Sequence, residues 1–574
     1  MNPAGLISAL LCCSVATVLL LKWRRRRRLL RTIEAAKRRR ERALEQMGDL
    51  VGKFKEQNPG HQPSPILSLA LPELCGKLRD GSLSPESVFY TYMDKTLKVT
   101  RDINCVTDYL EDSESQLRQV KKPEKKGLLY GVPVSIKDSI NYKGHDSTLG
   151  LLKRLNQPAA ADAVVVQVLK HQGAVPFVKT NIPQSLLSYD CNNVVFGQTV
   201  NPLDHTKTPG GSSGGEGALI KSGGSILGIG TDVGGSIRIP AAFCGICGIK
   251  PTGDRISKKG VVPCIRGQKA VAAGIGPMAR DVESLALCLR ALLCDEMFRL
   301  DPTVPPLPFN EQVYSDFRPL RIGYYEASSY ILVSPSMKRA VRETKQLLEK
   351  AGHTLVPFEP INLEYFTSHI SVSGFFGDGG ATFLELLEGE PEGANGRDIL
   401  SILKTPVLLR SLIAWTFSLI SPRLSNILRS MKEKSVKELW KLHADITEYF
   451  QEFIDEWRRL DLDVLLCPVL GPAFNIGYPE KYSVGSAYTL LYNYLDCPAG
   501  VVPVTTVTRE DEEELKSLRG HYNDMWDKVF EKVVKEAVGL PVAVQCVALP
   551  WQDELCLRFM KEVEKLTMQK TSLP

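Results

Sequence analysis

Apolar and polar positions follow two rhythms along this chain, one typical of β-strands and one typical of helices. Across residues 102–202, short apolar runs such as VPVSI and AVPFV alternate with amphipathic segments such as AADAVVVQVLKHQG. The rhythm returns at residues 320–358, where RIGYYE, MKRAVRETKQLLEKAG and HTLVPF predict strand, helix and strand. Further on, DVLLCPVL, GVVPVTTV and GLPVAVQCVA predict three buried strands, and residues 436–457 and 555–566 predict helices. This alternation indicates an α/β protein.

The N-terminus begins with an uncharged apolar run from Gly5 to Leu21, followed by the basic clusters Arg24–Arg28 and Lys37–Arg40. A spanning helix needs about 17 to 25 apolar residues, so the run lies near the lower limit. A cleavable signal peptide carries its charge before the apolar run, whereas here the charge follows it. The pattern therefore predicts a signal anchor whose basic flank stays cytoplasmic. A cleaved signal peptide and a buried core helix are the alternatives.

A second apolar region covers residues 401–432, SILKTPVLLRSLIAWTFSLISPRLSNILRSMK, which Pro422 divides into two predicted short helices. Neither half reaches spanning length. Basic residues are spaced among Leu, Ile, Trp415 and Phe417, a composition that suits helices lying in a bilayer interface; they are Lys404, Arg410, Arg423, Arg429 and Lys432. An ordinary buried helical hairpin remains the alternative.

Two segments predict connections. Residues 31–55 have the spacing of a basic surface helix, and residues 58–65, with several prolines and a glycine, predict the linker that follows it. Residues 302–308, PTVPPLP, predict a stiff connecting loop. A polyproline ligand for an SH3 domain is the alternative for this loop.

Composition limits the class of protein to which the chain can belong. The 574 residues favour more than one folding unit, although one large sheet can override that expectation, and 43% hydrophobic residues indicate a globular chain. The net charge of +6 comes largely from the N-terminus, which favours a membrane surface over nucleic acid as partner. The 14 scattered cysteines predict free thiols in a reducing compartment. Cys244 and Cys247 form a CxxC pair without a second pair at zinc-ligand spacing, so no metal site is predicted.

Candidate chemistry is concentrated in residues 210–252, a glycine- and serine-rich stretch broken by apolar segments and by Asp232 and Arg238. In Gly234-Gly235-Ser236, glycines allow successive N–H groups to converge on one point, which suits an oxyanion. Ser236 adds a hydroxyl, so a nucleophile would stand beside its own oxyanion hole. We expect Asp232 and Arg238 to form an ion pair that holds this loop.

A serine nucleophile needs a base. No histidine occurs in the stretch, and the GxSxG pattern of Ser-His-Asp hydrolases is missing around Ser236. Ser212 lies upstream in GGSSGG, and Lys137 follows the strand-like VPVSI run. Burial disfavours the charged form of lysine and can lower its pKa by several units, so a buried Lys137 could serve as the base.

The motifs GVPVSIKD, PGGSSGGEGAL and GTDVGGSIRIPAAFCGICGIKPT, in this order, resemble the amidase signature family. The resemblance implies an α/β amidase signature fold with a large twisted mixed β-sheet core surrounded by many α-helices. It also implies a Ser-Ser-Lys triad in which Ser236 is the nucleophile, Ser212 the bridging serine and Lys137 the base. The substrate-binding residues that it implies are Ser212, the backbone N–H groups of Val233, Gly234, Gly235 and Ser236, and, through a backbone carbonyl in NIPQSLLSYDCNN, Leu186. No metal or organic cofactor is implied.

The chain most resembles the membrane-anchored members of this family that hydrolyse long-chain fatty acid amides. These imply a lipid amide substrate, a bilayer partner, a homodimer, no nucleic acid, and an endoplasmic reticulum membrane location with a cytoplasmic catalytic domain. The expected division is an N-terminal transmembrane helix with its basic flank at 1–30, a helical region at 31–95 and a catalytic domain at 96–574. The catalytic domain contains the signature at 131–252 and a membrane-binding helical cap at about 401–432.

Two rival hypotheses stay open. One is an amidase of the same family that acts on small polar amides, for example within a glutaminyl-tRNA-forming amidotransferase, which should lack a membrane anchor. The other is a membrane-anchored binding protein whose glycine-rich loop holds phosphate. The P-loop pattern GxxxxGK[ST] does not occur in the stretch, which disfavours the binding protein.

Overall fold

The apolar runs of the sequence form one large sheet in the computed structural model, which describes residues 3–122, 126–393 and 396–572, with side chains from residue 12 to residue 570. The eleven strands of this sheet run in the order β1-β3-β2-β6-β8-β7-β12-β13-β11-β9-β10, and β4 and β5 form a small separate sheet. The strands are β1 (Val106–Tyr109), β2 (Pro133–Lys137), β3 (Val175–Thr180), β4 (Asn192–Asn193), β5 (Gly197–Gln198), β6 (Leu227–Asp232), β7 (Cys247–Lys250), β8 (Gly274–Ala279), β9 (Arg321–Tyr324), β10 (Thr354–Pro357), β11 (Val464–Pro468), β12 (Ala499–Thr506) and β13 (Pro541–Val547).

The large sheet is mixed. Its β3-β2-β6 and β11-β9-β10 parts are parallel, and the strands between them pair antiparallel. Strands β2, β3, β8, β11 and β13 are buried along their whole length. Burial on both faces explains why they read as continuous apolar runs instead of alternating patterns. The predicted α/β class and the large mixed sheet are confirmed.

Helices cover the sheet. They are α1 (Pro3–Gln57), α2 (Pro63–Ser68), α3 (Leu71–Asp80), α4 (Pro85–Ile103), α5 (Ser113–Val120), α6 (Val164–His171), α7 (Gly214–Lys221), α8 (Arg238–Cys244), α9 (Val282–Leu292), α10 (Asp295–Leu300), α11 (Glu311–Ser315), α12 (Pro335–Lys350), α13 (Leu363–Tyr365), α14 (Val372–Phe375), α15 (Ala381–Leu387), α16 (Arg397–Lys404), α17 (Val407–Phe417), α18 (Pro422–Ser430), α19 (Val436–Arg459), α20 (Ala487–Tyr494), α21 (Arg509–Ser517), α22 (Met525–Val534) and α23 (Asp553–Ser572). Short 3-10 helices lie at Leu152–Arg154, Gln184–Leu186 and Pro479–Ser486, and a π-helix at Phe366–Ser371.

The N-terminal helix α1 is longer than the sequence patterns suggest. It continues without a break across residue 30, the expected boundary between anchor and helical region. Its second half packs on the body through Ala36, Ala43, Met47 and Val51. The predicted linker at 58–65 is also shorter than expected, because a proline suits the first turn of a helix and α2 begins at Pro63.

The anchor prediction concerns residues whose side chains are only partly described. The side chains of residues 5–11 lie outside the described set, while several later members of the run, among them Leu19 and Leu21, are exposed. Among the described residues, no single helix combines the length and the apolar character needed to cross a bilayer. The pair α16–α17, bent by 113°, meets that test only when its two helices are taken together.

The region predicted as two helices at 401–432 contains three. The missed break is at Thr405–Pro406, because proline cannot continue the hydrogen-bond pattern of the preceding helix, so α16 ends at Lys404 and α17 starts at Val407. Two of its five basic residues, Arg410 and Arg423, are buried and do not belong to its exposed surface. Arg423 forms ion pairs of 2.6 Å with Asp524 and Asp527, which fasten α18 to α22.

The remaining structural predictions concern the thiols and the proline-rich loop. All fourteen cysteines are free, and eleven of them are buried, as expected for structural thiols. Residues 302–308 connect α10 to α11. Arg255 donates a 2.7 Å hydrogen bond to the carbonyl of Leu307, so this segment is attached to the core as a connecting loop would be.

Candidate active site

Lys137 lies at the carboxyl end of β2. The neighbouring strand β6 leads into the glycine motif Gly234-Gly235-Ser236. Lys137 is fully buried, although lysine is rarely buried without a partner. Its Nζ lies 2.7 Å from Ser212 Oγ, 2.8 Å from Thr231 Oγ1 and 3.2 Å from the Thr231 carbonyl oxygen. The structure therefore brings two of the three predicted catalytic side chains into direct contact.

This set of neighbours can be satisfied by a neutral amine. A neutral lysine has two N–H donors and one lone pair. The carbonyl oxygen of Thr231 can only accept a hydrogen bond, and the hydroxyl of Thr231 can accept one as well. If both N–H groups point at Thr231, the lone pair faces the Ser212 hydroxyl, which can then donate its proton to Lys137. Thr231 was missed by the sequence analysis, because a threonine within a strand has no pattern that marks it.

Burial lowers the pKa of Lys137 to about 7, against an ordinary value of 10.5, because the charged amine loses its hydration. The carboxylate of Asp232 acts in the opposite direction, as do Cys191, Cys264 and Glu216 more weakly. A lysine with this pKa is substantially neutral at physiological pH, as a general base must be.

The loop after β6 is built on the ion pair predicted between Asp232 and Arg238, which is confirmed. Both side chains are fully buried and their closest N–O distance is 2.9 Å. Burial disfavours the Asp232 carboxylate, but the charge and hydrogen bonds of Arg238 outweigh burial and hold the pKa of Asp232 below its usual value. The carboxylate also accepts from the N–H groups of Gly235 and Ile237, at 2.7 and 3.0 Å. One carboxylate thus fixes the backbone on both sides of Ser236.

Arg238 connects this loop to the rest of the core. Its Nη1 donates at 2.8 Å to both the Thr489 carbonyl of α20 and the Gln545 side chain of β13. Its Nη2 donates to Asn493 Oδ1 at 2.6 Å. These polar partners belong to distant parts of the chain, so local sequence reasoning could not associate them with the loop.

The four backbone N–H groups predicted to stabilise an oxyanion differ in whether they already have a hydrogen-bond acceptor. Within the described part of the chain, the N–H groups of Val233, Gly234 and Ser236 have no internal acceptor. The Gly235 N–H is directed at Asp232 instead. Gly235 has φ +116°, and a Cβ there would lie 2.4 Å from Thr489 Oγ1, so this position requires glycine. Three N–H groups are therefore free to face a developing oxyanion.

The glycine motif that contains Ser212 and the one that contains Ser236 are in contact. Ser213 donates its N–H to the Ser236 carbonyl at 3.0 Å, which places Ser212 and Ser236 on adjoining turns. Ser212 is 2% exposed and Ser236 6% exposed, and the Ser236 hydroxyl forms no hydrogen bond within the described residues. Close packing also explains Gly211, whose Cβ would lie 2.6 Å from the Ser188 carbonyl oxygen.

Leu186, the predicted backbone contact to substrate, lies two residues before Ser188. Its φ of +67° is rare for a leucine and indicates a backbone held in place by its surroundings. Its side chain packs against an apolar cluster that includes Leu149 and Ile182 and is reached by Leu387 of α15. No donor to its carbonyl oxygen is found in the described residues, so this oxygen is free to accept from a ligand.

A further buried group near the lysine was missed. Glu216, in α7, accepts hydrogen bonds from Ser135 at 2.5 Å and Thr180 at 2.9 Å. Ser135 and Lys137 point to the same face of β2 because side chains alternate along a strand. Burial raises the pKa of Glu216 to about 8. An acid within a glycine-rich, otherwise uncharged segment was the available signal.

A family model described as Amidase matches residues 87–557, and the chain belongs to this family. It is therefore an amide-hydrolysing enzyme. This membership overturns the hypothesis of a phosphate-holding binding protein.

Individual relatives show which members of the family this chain is similar to. The chain is 56% identical over 565 residues to fatty-acid amide hydrolase 1 of Sus scrofa, covering 98% of this chain and 97% of that protein. It is 53% identical over 442 residues to vitamin D3 hydroxylase-associated protein of Gallus gallus, covering 77% and 95%. A solved structure of a fatty acid amide hydrolase matches with a TM-score of 0.78 at 25% identity, covering 94% of this chain and 95% of the other. The resemblance found in the sequence motifs is confirmed.

The ion pair under the loop generates a stability prediction. Asp232→Asn leaves the Arg238 charge buried without its partner, and breaking a buried pair in this way costs about 3 to 5 kcal/mol of unfolding free energy. We expect a large fall in the midpoint of urea unfolding, followed by tryptophan fluorescence, together with loss of activity. Glu296→Gln, which breaks a solvent-exposed pair with Arg299, is the matched control and should leave the midpoint almost unchanged. Equal midpoints for both variants would contradict this role of Asp232.

Proposed function

We propose that this amidase hydrolyses long-chain fatty acid amides at a membrane, through an acyl-enzyme on Ser236 with Ser212 and Lys137 as its proton relay. The observation that carries the mechanism is the buried Lys137 amine 2.7 Å from Ser212 Oγ. The substrate class is taken from the relatives that cover nearly the whole chain, which are fatty acid amide hydrolases. It includes N-acylethanolamines such as anandamide and primary amides such as oleamide.

In the proposed acylation, Ser236 Oγ attacks the amide carbonyl carbon and passes its proton to Ser212 Oγ. Ser212 passes its own proton to neutral Lys137. The carbonyl oxygen gains the negative charge, which the free N–H groups around Ser236 stabilise.

Collapse of the tetrahedral intermediate breaks the C–N bond. The relay then runs in reverse, from Lys137 through Ser212 to the leaving nitrogen, because an unprotonated amine anion is a very poor leaving group. Water then attacks the ester with the same relay as base, the bond between the acyl carbon and Ser236 Oγ breaks, the fatty acid is released and the Ser236 hydroxyl is restored. The reaction balances without a cofactor.

The membrane part of the proposal is supported by exposed apolar side chains on the cap. In and after α17, Leu408 is 87%, Trp415 68%, Leu419 94% and Ile420 72% exposed. A contiguous apolar surface of this kind is typical of a membrane or protein contact. We propose that α16, α17 and α18 rest in the bilayer interface, where a lipid amide can enter directly from the membrane.

The remaining features rest on the resemblance and on the N-terminal pattern. We propose a single-pass anchor formed by the Gly5–Leu21 run, an endoplasmic reticulum membrane location and a cytoplasmic catalytic domain. We also propose a homodimer and a functional division into anchor, helical region and catalytic domain near residues 30 and 95, positions that lie within the continuous helices α1 and α4.

Hydrolysis by the detergent-solubilised full chain tests the substrate and the nucleophile. We expect anandamide to be cleaved in preference to a short-chain amide, and Ser236→Ala to lower kcat by roughly 10⁴-fold or more. Ser222→Ala, a serine between the two motifs and outside the relay, is the control and should keep activity. A fluorophosphonate probe should label wild type and the control but not Ser236→Ala. Cleavage of short amides alone would refute the lipid substrate, and an active Ser236→Ala variant would refute the nucleophile.

The lysine base predicts a pH dependence. The base must be unprotonated, so kcat/KM should fall as the pH drops through about 7, the pKa of Lys137. Below that value the fall should approach roughly tenfold for each pH unit. An uncharged amide should be used so that the substrate does not titrate. Lys137→Ala should lose both most of its activity and this acid limb, whereas an unchanged limb in Lys137→Ala would assign it to another group.

The proposed cap surface is tested by adding charge to it. Leu408→Glu together with Leu419→Glu should lower the rate on a long-chain amide dissolved in vesicles by roughly tenfold or more, because each leucine loses its apolar burial in the bilayer. The rate on a short, water-soluble amide should not change. Phe317→Glu is the matched control, since Phe317 is equally exposed, at 94%, in a loop outside the cap. A similar loss in the control, or no loss in the cap variant, would contradict the assignment.

A further inference from the structure

A groove of about 580 Å³ lies between α1 and the loop at Leu155–Asn156. Basic side chains dominate its lining; they are Arg24, Arg27, Arg28, Arg31, Arg39 and Arg42. The volume falls within the usual range for small-molecule sites, about 300 to 1,000 Å³. The proposed hydrolysis uses none of these residues.

The groove is concave because α1 is held against the body at one end. Arg39 Nη2 contacts Asp146 Oδ2 at 2.7 Å, and its Nη1 donates to Asn156 Oδ1 at 3.3 Å. Asp146 is itself buried and accepts the N–H groups of Asn156 and Gln157, both at 2.8 Å. This loop therefore forms a fixed wall opposite the arginine-bearing face of the helix.

The arginines nearer the N-terminus are unneutralised. In the described part of the chain, Arg24, Arg28 and Arg31 form no ion pair. They are spaced four and three residues apart, so they line one face of α1 over about 10 Å. Arginine binds phosphate groups through two parallel N–H donors, and several on one face suit a ligand with more than one phosphate.

The position of the groove indicates where such a ligand comes from. Trp23, an aromatic residue typical of membrane interfaces, lies at its outer end, two residues after the apolar run that ends at Leu21. Arg24 follows Leu21 by about 4.5 Å along the helix. When that run is buried in hydrocarbon, the arginines stand at the level of the lipid headgroups. This placement rests on the anchor of the proposed function.

We propose that this groove binds the headgroup of a polyphosphorylated inositol lipid of the cytoplasmic leaflet. Clusters of four to eight basic residues beside a membrane helix attract anionic lipids, at about 1 kcal/mol for each basic residue. The groove adds shape to that attraction, because its second wall belongs to the catalytic body. A bound headgroup would bridge α1 and this body.

The test measures binding by the detergent-solubilised full chain at physiological salt, with fluorescence polarisation of a short-chain, dye-labelled phosphatidylinositol 4,5-bisphosphate. The groove variant is Arg24→Gln/Arg28→Gln/Arg31→Gln. The control variant removes the same charge outside the groove. It is Arg26→Gln/Lys37→Gln/Arg38→Gln. At roughly fivefold for each arginine, the groove variant should bind about 100-fold more weakly than wild type, and the control less than about threefold more weakly.

Competition separates the possible sources of phosphate. Unlabelled short-chain phosphatidylinositol 4,5-bisphosphate should displace the probe well below the concentration needed for phosphatidylserine or for soluble inositol 1,4,5-trisphosphate. Equal losses of probe affinity in the two variants, or equal competition by phosphatidylserine, would mean that the lipid responds only to the overall positive charge of this region. Either result would overturn the proposal. Equal competition by the soluble trisphosphate would overturn the lipid assignment.

Hydrolysis of a short soluble amide should be the same in both variants and in wild type, which shows that they are folded. The binding measurement needs no turnover. If the amidase mechanism is wrong, the expected hydrolysis is absent while the labelled lipid still binds. If the groove proposal is wrong, hydrolysis is intact while the expected difference in lipid binding is absent.

Discussion

The buried ion pair between Asp232 and Arg238 is the interaction on which the site depends. Two opposite charges without access to water are tolerated only when each is paired and its remaining hydrogen bonds are satisfied. Arg238 meets this condition by donating to α20 and β13 as well as to Asp232, and the Asp232 carboxylate accepts backbone N–H groups around Ser236. The turn that carries Ser236 is therefore tied to the core through the hydrogen bonds of this ion pair.

The same exclusion of water controls the chemistry. The desolvation that the ion pair has to overcome also lowers the pKa of Lys137, and burial of Glu216 raises the pKa of that carboxyl group. The glycines of both motifs allow this dense packing, since a side chain at Gly211 or Gly235 would collide with neighbouring atoms. The surrounding packing keeps water from the Lys137 amine, and this loss of hydration is what lowers its pKa.

The cap has a buried polar attachment to the body and an exposed apolar outer side. Arg423 is neutralised by Asp524 and Asp527 at the start of α22. It is surrounded by the rings of Tyr522 and Trp526, so the attachment of α18 to the body is polar and buried. The outer side of α17 leaves large apolar side chains in water. Such exposure is unfavourable in solution and favourable in a bilayer, which is the physical reason for proposing that the cap meets the membrane.

The sequence by itself determined the α/β class, the strands around the signature, the ion pair of the loop and the family, because these depend on local periodicity and on motifs that are contiguous in the chain. It did not reveal the break at Pro406, the burial of Arg410 and Arg423, or the continuity of α1 across residue 30. It also missed Thr231 and Glu216, whose roles near the lysine depend on neighbouring strands and on α7. Only the tertiary structure decided these points, since burial and hydrogen-bond partners are set by segments far apart in sequence. The pKa of Lys137 is also decided by the tertiary structure, because burial of the amine lowers it to about 7.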